Sequence, residues 1–190
     1  MRSPPPELAE RLWDVADRAL AQGGELRIDE LAELTGVPRA TLYYYFSGKD
    51  DVVGFLLAQQ LQRGTDRIAR AVRGRGSAAK RLEAVLRAML QTMAEHPALC
   101  TRLMGGMSSE LTGAQLMAEV DRVIMAPVRD LLSEAAEDGE LIVHDPSVAS
   151  LILMGSVSTA ALVRTLSGDY DPEATADQLI PQLLDGFRPR

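Results

Sequence analysis

Apolar side chains recur every three or four residues along most of the chain, and no stretch alternates between apolar and polar positions as a half-buried strand would. The first repeat runs through Leu8, Leu12, Val15 and Ala16 and stops at two glycines, where a helix commonly ends. The spacing predicts about nine helices, at about 7–22, 28–35, 39–46, 49–72, 78–95, 98–107, 113–137, 146–167 and 173–187. The pattern therefore predicts an all-α fold.

Short polar or glycine-containing segments separate the predicted helices. The clearest is Arg73 to Ser77, with glycine at positions 74 and 76, and we place the main structural boundary there. Asp145-Pro146 and Asp171-Pro172 each put Asp where a helix N-cap is expected and Pro at the first helical position. These signals predict sharp starts for the last two helices.

Two short helices joined by a tight turn are predicted between residues 28 and 49. Gly36 stands where the chain must leave the first helix with a positive φ, which Gly adopts without strain. The side chains expected to pack inward, some of them four residues apart, are Leu31, Ala32, Leu34, Val37, Leu42 and Phe46. Two short helices held in this way are typical of a helix-turn-helix.

The second short helix directs its remaining side chains outward. They are Arg39, Ala40, Thr41, Tyr43, Tyr44 and Tyr45. Three successive tyrosines cannot all face one core, so at least one of them must lie at the surface. A two-turn helix whose N-terminal residues are available to base edges has the form of a recognition helix.

The segment from Leu34 to Lys49, LTGVPRATLYYYFSGK, resembles the signature of the TetR (tetracycline-repressor-like) regulators. The resemblance in motif covers roughly residues 8–60, and past Gly76 only the length and helix pattern match. It implies a three-helix DNA-binding domain in residues 1–50, linked by the helix at about 49–72 to an effector-binding and dimerisation domain in residues 51–190. At position 38 the family often has Ser, and here Pro is expected at the first helical position.

The resemblance also implies roles for single residues. Arg39 would reach guanine O6 and N7, or else a phosphate, with a merely solvated charge as the alternative. Ala40 and Thr41 would lie against bases. Tyr43 and Tyr44 would form hydrogen bonds with phosphates, and Tyr44 could also reach a base. Tyr45 either contacts the backbone of DNA or packs within its own domain. Further phosphate contacts are expected from Lys49 and, more weakly, from Thr35 and Arg27.

The C-terminal part carries seven of the eight methionines, and methionine adapts well to irregular apolar ligands. We predict that an apolar effector binds there, although the same methionines could simply fill a core. The residues proposed to line the site are Met89, Met93, Leu103, Met104, Met107, Met117, Val120, Ile124, Leu151, Met154 and Ser158.

The last two predicted helices carry more apolar surface than one intrachain core explains. Residues 146–163 contain no charged side chain, so this helix must be covered on several sides. In the TetR family the two corresponding helices of each subunit form a four-helix homodimer interface. The resemblance assigns this role to Ile152, Gly155, Thr159, Leu162, Val163, Ile180, Leu183, Leu184 and Phe187.

Charge alone does not decide whether the partner is DNA. Residues 1–75 hold 11 basic and 11 acidic side chains, whereas residues 76–190 hold 9 and 16, so the C-terminal part accounts for the whole net charge of −7. The single cysteine excludes an intrachain disulfide and fits a reducing cytoplasm, where we expect the protein to act.

The sequence contains no pattern typical of an enzyme or a metal site. The two histidines are far apart, no glycine-rich phosphate loop is present, and clustered metal ligands are absent from the sequence, so we expect neither catalysis, nor a metal, nor a cofactor. We therefore predict a ligand-responsive repressor that binds a palindromic operator as a homodimer and leaves it on binding a small apolar effector. The alternative is a helical small-molecule-binding protein without a DNA function.

Overall fold

The computed structural model of the chain describes residues 3–21, 27–95, 97, 118 and 120–188. Within these ranges the chain is helical and has no β-strand, which confirms the all-α prediction. The helices are α1 (Pro6–Ala21), α2 (Ile28–Thr35), α3 (Arg39–Tyr45), α4 (Lys49–Val72), α5 (Ala78–Glu95), α6 (Ala126–Glu137, preceded by a π-helical turn at Asp121–Met125), α7 (Pro146–Ser167) and α8 (Pro172–Asp185). The predicted helix at 98–107 and most of the first part of the one at 113–137 lie outside the described residues.

The described residues form two compact units, and the division falls within α4 between Gln62 and Arg63. The first unit contains α1 to α3 and the start of α4. The second contains the end of α4 and helices α5 to α8. Assignment of residues 1–50 and 51–190 to different functions stays a prediction, because compactness alone assigns no function.

The core of the first unit is built where helices α1 to α4 turn their apolar faces inward. Its fully or nearly fully buried side chains are Leu8, Leu12, Trp13, Val15, Ala16, Ile28, Leu31, Val37, Leu42, Phe46, Val52 and Leu56. Burial of Leu31, Val37, Leu42 and Phe46 was predicted from the spacing and is confirmed. The prediction for Leu34 is wrong: it is 38% exposed, because the inner face of α2 follows Ile28, Leu31 and Thr35.

Helix α5 supplies much of the core of the second unit, and α6, α7 and α8 each pack against it. Leu82, Leu86 and Leu90 are buried on its inner face, and burial of each such side chain contributes about 1.5–3 kcal/mol. The Tyr170 hydroxyl donates to the Leu90 carbonyl at 2.6 Å and so ties the segment between α7 and α8 to α5. On the outer side Arg87 pairs with Asp177 of α8 at 2.7 Å, and its hydrogen bond to this carboxylate raises the pKa of Arg87.

The end of α4 lies close against α5. A Cβ added at Gly64 would come within 2.8 Å of Thr92 Cγ2, so only Gly allows this approach without a shift. One turn further on, Arg67 donates to Thr92 Oγ1 at 2.9 Å and also pairs with Glu95. The last two turns of α4 are thereby fixed to the second unit.

A proline explains the π-helical turn before α6. Pro127 has no N–H and its ring crowds the carbonyl four residues back, so a regular α-helical bond cannot form there. The N–H of the residue before it, Ala126, bonds to the Asp121 carbonyl, five residues back. Arg129 spans the turn and donates to both Asp121 carboxylate oxygens, at 2.8 and 3.3 Å, which lowers the pKa of Asp121.

Candidate functional site

The turn between α2 and α3 is fixed by backbone geometry and one buried hydroxyl. Gly36 has a φ of +66°, in the left-handed region expected from the sequence. The Thr35 hydroxyl donates to the Leu31 carbonyl at 2.5 Å and accepts from the Val37 N–H at 3.4 Å. Thr35 is buried, so the expectation that it holds a phosphate is corrected: its side chain closes the turn.

Helix α3 is anchored from its inner side by two apolar residues. Leu42 and Phe46 are almost fully buried, and the Phe46 ring lies 5.6 Å from that of Phe55 in α4. Pro38 is extended, with ψ 137°, and its carbonyl accepts from the N–H groups of Thr41 and Leu42. Pro38 is therefore the N-cap residue and not the first helical residue as predicted.

The opposite side of α3 faces solvent and carries the residues expected to contact DNA. We call Arg39, Ala40, Thr41, Tyr43 and Tyr44 the α3 surface. Tyr43 and Tyr44 are 56% and 58% exposed, Ala40 is exposed, and Thr41 is half-buried. Two large aromatic residues open to water on a helix of seven residues are not explained by packing.

Tyr45 and the flanking cations have different surroundings. Tyr45 is half-buried against the core of the first unit and meets the Tyr44 ring edge-on, with 4.9 Å between ring centroids. This favours the packing alternative for Tyr45, whose ring supports that of Tyr44. Lys49 is half-buried at the first position of α4, and Arg27 is exposed directly before α2.

An ion pair joins α2 to the first residue of α3. Arg39 Nη1 lies 3.1 Å from Asp29 Oδ1, and the two side chains are 59% and 35% exposed. No functional motif in the sequence contains Asp29. Its only signal was an acidic residue in the first turn of α2, which is equally typical of a helix N-terminus.

The predicted effector residues that the structure describes do not all lie together in the interior. Met89 is buried in the core of the second unit, and Met93, Ile124 and Met154 pack against that core while remaining partly buried. Val120 and Ser158 are half-buried, and Leu151 is exposed. The remaining predicted residues lie outside the described residues: Leu103, Met104, Met107 and Met117. Ser158 Oγ lies 3.6 Å from Met154 Sδ, one turn away on α7.

One face of α7 remains apolar and open to solvent. Its residues recur every three or four positions, and we call them the α7 stripe: Val148, Leu151, Ile152, Gly155, Thr159, Leu162, Val163 and Leu166. Leu151 and Leu166 are 64% and 71% exposed. Leu151 therefore lies on this outer face, and its assignment to the effector site stays a prediction.

The predicted interface residues of α8, and Phe187 just after it, are placed differently from those of α7. Ile180 and Leu184 are buried in the core of the second unit, while Leu183 and Phe187 pack against that core and are partly buried. The expectation that Ile180 and Leu184 meet a second subunit is corrected, because the chain's own core already covers both side chains.

The described part of the chain contains one helix, α7, with the length and hydropathy to cross a membrane, with a mean hydropathy of 1.7 and 28% of the stretch buried. A helix that packs on a core with one face and on a partner with the other satisfies the same criterion. Across the described ranges, no three His, Cys, Asp or Glu side chains form a group that could hold a metal ion.

Known proteins resemble the chain in both parts. The family described as bacterial regulatory proteins of the tetR family matches residues 12–54, and the tetracyclin repressor-like C-terminal domain matches residues 75–187. The fatty acid metabolism regulator protein of Bacillus subtilis (strain 168) is 20% identical over 182 residues, which cover 93% of this chain and 94% of that protein.

Two solved structures have the same fold over nearly their whole length. The fatty acid degradation regulator FadR from Bacillus halodurans has a TM-score of 0.82 and 22% identity, with 100% of both chains covered. The transcriptional regulator FadR from Bacillus subtilis in complex with stearoyl-CoA has a TM-score of 0.78 and 19% identity, with 94% of this chain and 99% of that chain covered. Since the C-terminal family matches more than half of the chain and the N-terminal family matches its helix-turn-helix, the chain belongs to the TetR family of DNA-binding transcription regulators.

Proposed function

We propose that this chain is a cytoplasmic homodimeric repressor that leaves a palindromic operator when a long-chain acyl effector binds. The observation that carries the proposal is the orientation of α3. Leu42 and Phe46 fix its inner side, while Arg39, Tyr43 and Tyr44 face solvent on the other. A helical small-molecule-binding protein without a DNA function would have no use for this exposed set.

The α3 surface has the chemistry that recognition of duplex DNA requires. Tyrosine hydroxyls donate hydrogen bonds to phosphate oxygens, which position the protein on the duplex without reading its sequence. Arg39 and Thr41 lie in the first turn of α3, where side chains of a recognition helix reach base edges. We assign phosphate contacts to Tyr43, Tyr44 and Lys49 and base contacts to Arg39, Ala40 and Thr41, with Arg27 as a further phosphate ligand.

The α7 stripe supports the homodimer. It runs from Val148 to Leu166, about 27 Å at 1.5 Å per residue, and Gly155 at its centre lets a second helix approach closely. A contiguous apolar surface of this length on a soluble chain marks an interaction site. We place the stripe against its copy in the partner subunit, with Leu183 and Phe187 at the edge, so that two α3 helices can meet successive major grooves.

The effector class is inferred from the apolar lining and from a relative. Met93, Ile124 and Met154 are partly buried beside the core of the second unit, and such flexible side chains can rearrange around an acyl chain. A relative with the same fold binds stearoyl-CoA. The effector would shift the dimer toward a conformation with lower operator affinity, which requires that it bind the two conformations unequally.

Operator selection followed by titration tests the proposal. Selection from a random duplex library should enrich an inverted repeat, and Tyr44→Ala should lose this enrichment. With that duplex labelled, stearoyl-CoA should weaken binding by about 5- to 150-fold, the range of typical allosteric coupling, whereas coenzyme A without the acyl chain should leave it unchanged.

The outcomes distinguish the proposed repressor from a small-molecule-binding protein without a DNA function. Acyl-CoA binding without any selected DNA sequence would support the small-molecule-binding alternative. A selected inverted repeat whose affinity does not respond to stearoyl-CoA would contradict the acyl effector and leave the DNA function intact.

A further inference from the structure

The Asp29–Arg39 pair is not explained by stability. Both partners are partly open to solvent, at 35% and 59%, and a pair of this kind contributes at most about 1 kcal/mol. A carboxylate beside a DNA-contacting surface also repels phosphates and so lowers affinity for any sequence. A contribution to the sequence specificity of DNA binding would account for the position of Asp29.

The ion pair makes this contribution by orienting the Arg39 guanidinium. Arg39 is the first residue of α3, and its long side chain would otherwise sample many rotamers that a bound state must give up. The contact with Asp29 is made through Nη1, and a guanidinium carries five N–H donors in one plane, so donors remain for a second acceptor. A guanidinium held before DNA arrives loses less entropy on binding and presents its plane in one direction.

We propose that Asp29 is a positioning residue that orients Arg39 toward a guanine and thereby determines specificity at one base pair of the operator. This inference rests on the proposed DNA-binding function. It selects guanine O6 and N7 over a phosphate as the Arg39 target, because a fixed plane matters for two parallel hydrogen bonds and little for a point charge. Asp29 itself needs no contact with DNA.

A double-mutant cycle measured as base discrimination tests the proposal. The operator base pair read by Arg39 is the one at which Arg39→Ala loses discrimination, by about tenfold or more for a bidentate guanine contact. Asp29→Asn, which keeps the shape and removes the charge, should lower discrimination at that same base pair by about threefold and at no other. In the Arg39→Ala background, Asp29→Asn should change discrimination at no position.

Glu33→Gln is the matched control, because Glu33 is an exposed acid on the same helix and loses the same charge. Both variants should bind all sequences more tightly through reduced repulsion of phosphates, and only Asp29→Asn should also lose discrimination. Equal behaviour of the two variants, or an Arg39→Ala variant that weakens all sequences alike, would overturn the positioning role. Absence of any selected sequence for the unaltered protein would instead refute the proposed function itself.

Discussion

Gly36 and Gly54 both have room for a Cβ atom, but their backbone conformations differ. Apart from the adjoining backbone, the described residues place no atom within 4 Å of where a Cβ would stand at either glycine. Gly36 has a φ of +66° at the turn before α3, whereas Gly54 lies inside α4 with an ordinary helical backbone. The effect of adding a methyl group therefore depends on backbone conformation and not on space.

We expect Gly36→Ala to lower the free energy of unfolding by about 1 kcal/mol or more, because Ala in the left-handed region is strained. Gly54→Ala should raise it by about 0.5–1 kcal/mol, because Ala favours the helix interior. Urea denaturation followed by circular dichroism measures both. If both substitutions changed stability in the same direction, backbone conformation would not be the cause.

Local spacing was enough to predict the turn and the anchoring of α3, since Gly36, Leu42 and Phe46 act through neighbours a few residues away. It could not predict the pair between Asp29 and Arg39, which depends on how two helices cross. The sequence predicts the wrong side for Leu34, because the short α2 offers few positions from which to define a buried face. The structure instead turns that face toward Ile28 and Leu31.

Helices α7 and α8 begin with the same N-terminal arrangement, and here the sequence prediction is confirmed. Asp145 accepts from the N–H groups of Ser147 and Val148 at 2.8 and 3.2 Å. Asp171 accepts from those of Glu173 and Ala174 at 2.9 and 3.0 Å. In both cases a proline follows at the first helical position, where its missing N–H costs nothing.

We expect Asp171→Ala to destabilise the protein by about 1 kcal/mol, because two N–H groups of α8 lose their acceptor. Asp171→Asn retains a side-chain oxygen that can accept the same bonds and should cost much less. Thermal unfolding monitored by circular dichroism compares the two. A similar loss for Ala and Asn would indicate that the charge, and not the cap, is the stabilising feature.

The limits of the helices follow from local signals, but the direction in which each helix faces does not. The sequence shows an apolar repeat through Ile180 and Leu184, and that repeat fits an intrachain core as well as a subunit interface. In the structure both residues are buried in the core of the second unit, where α8 packs against α5 and α7. For α7, whose apolar residues extend nearly all round, the sequence indicated two covered faces without saying which residues belong to each.

At the scale of the whole molecule, helix α7 meets two opposite requirements on its two faces. Its inner residues, among them Leu153 and Val157, are buried in the core of the second unit. Its outer residues expose more apolar surface than a single soluble chain needs. The proposed homodimer resolves this, since each subunit would cover the stripe of the other.

We expect Leu151→Lys combined with Val163→Lys to convert the proposed dimer into a monomer, because two buried charges would face their own copies across the interface. Operator affinity should fall with it, since one recognition helix cannot span both half-sites. Light scattering after size-exclusion chromatography gives the mass. Ala84→Lys, an exposed position on α5, adds the same charge and should leave the dimer intact; a double variant that remains dimeric would exclude the stripe as the interface.

Because residues 146–163 contain no charged side chain, dimerisation and DNA binding should respond differently to ionic strength. The proposed DNA binding through Arg39 and Lys49 would weaken steeply as salt rises, because the release of counterions from the phosphates favours binding less at high salt. An apolar contact along the α7 stripe has no such dependence, and excluded salts such as sulfate strengthen it. At rising salt the protein would therefore dissociate from its operator as an intact dimer. This dimer would bind both half-sites again when the salt is removed.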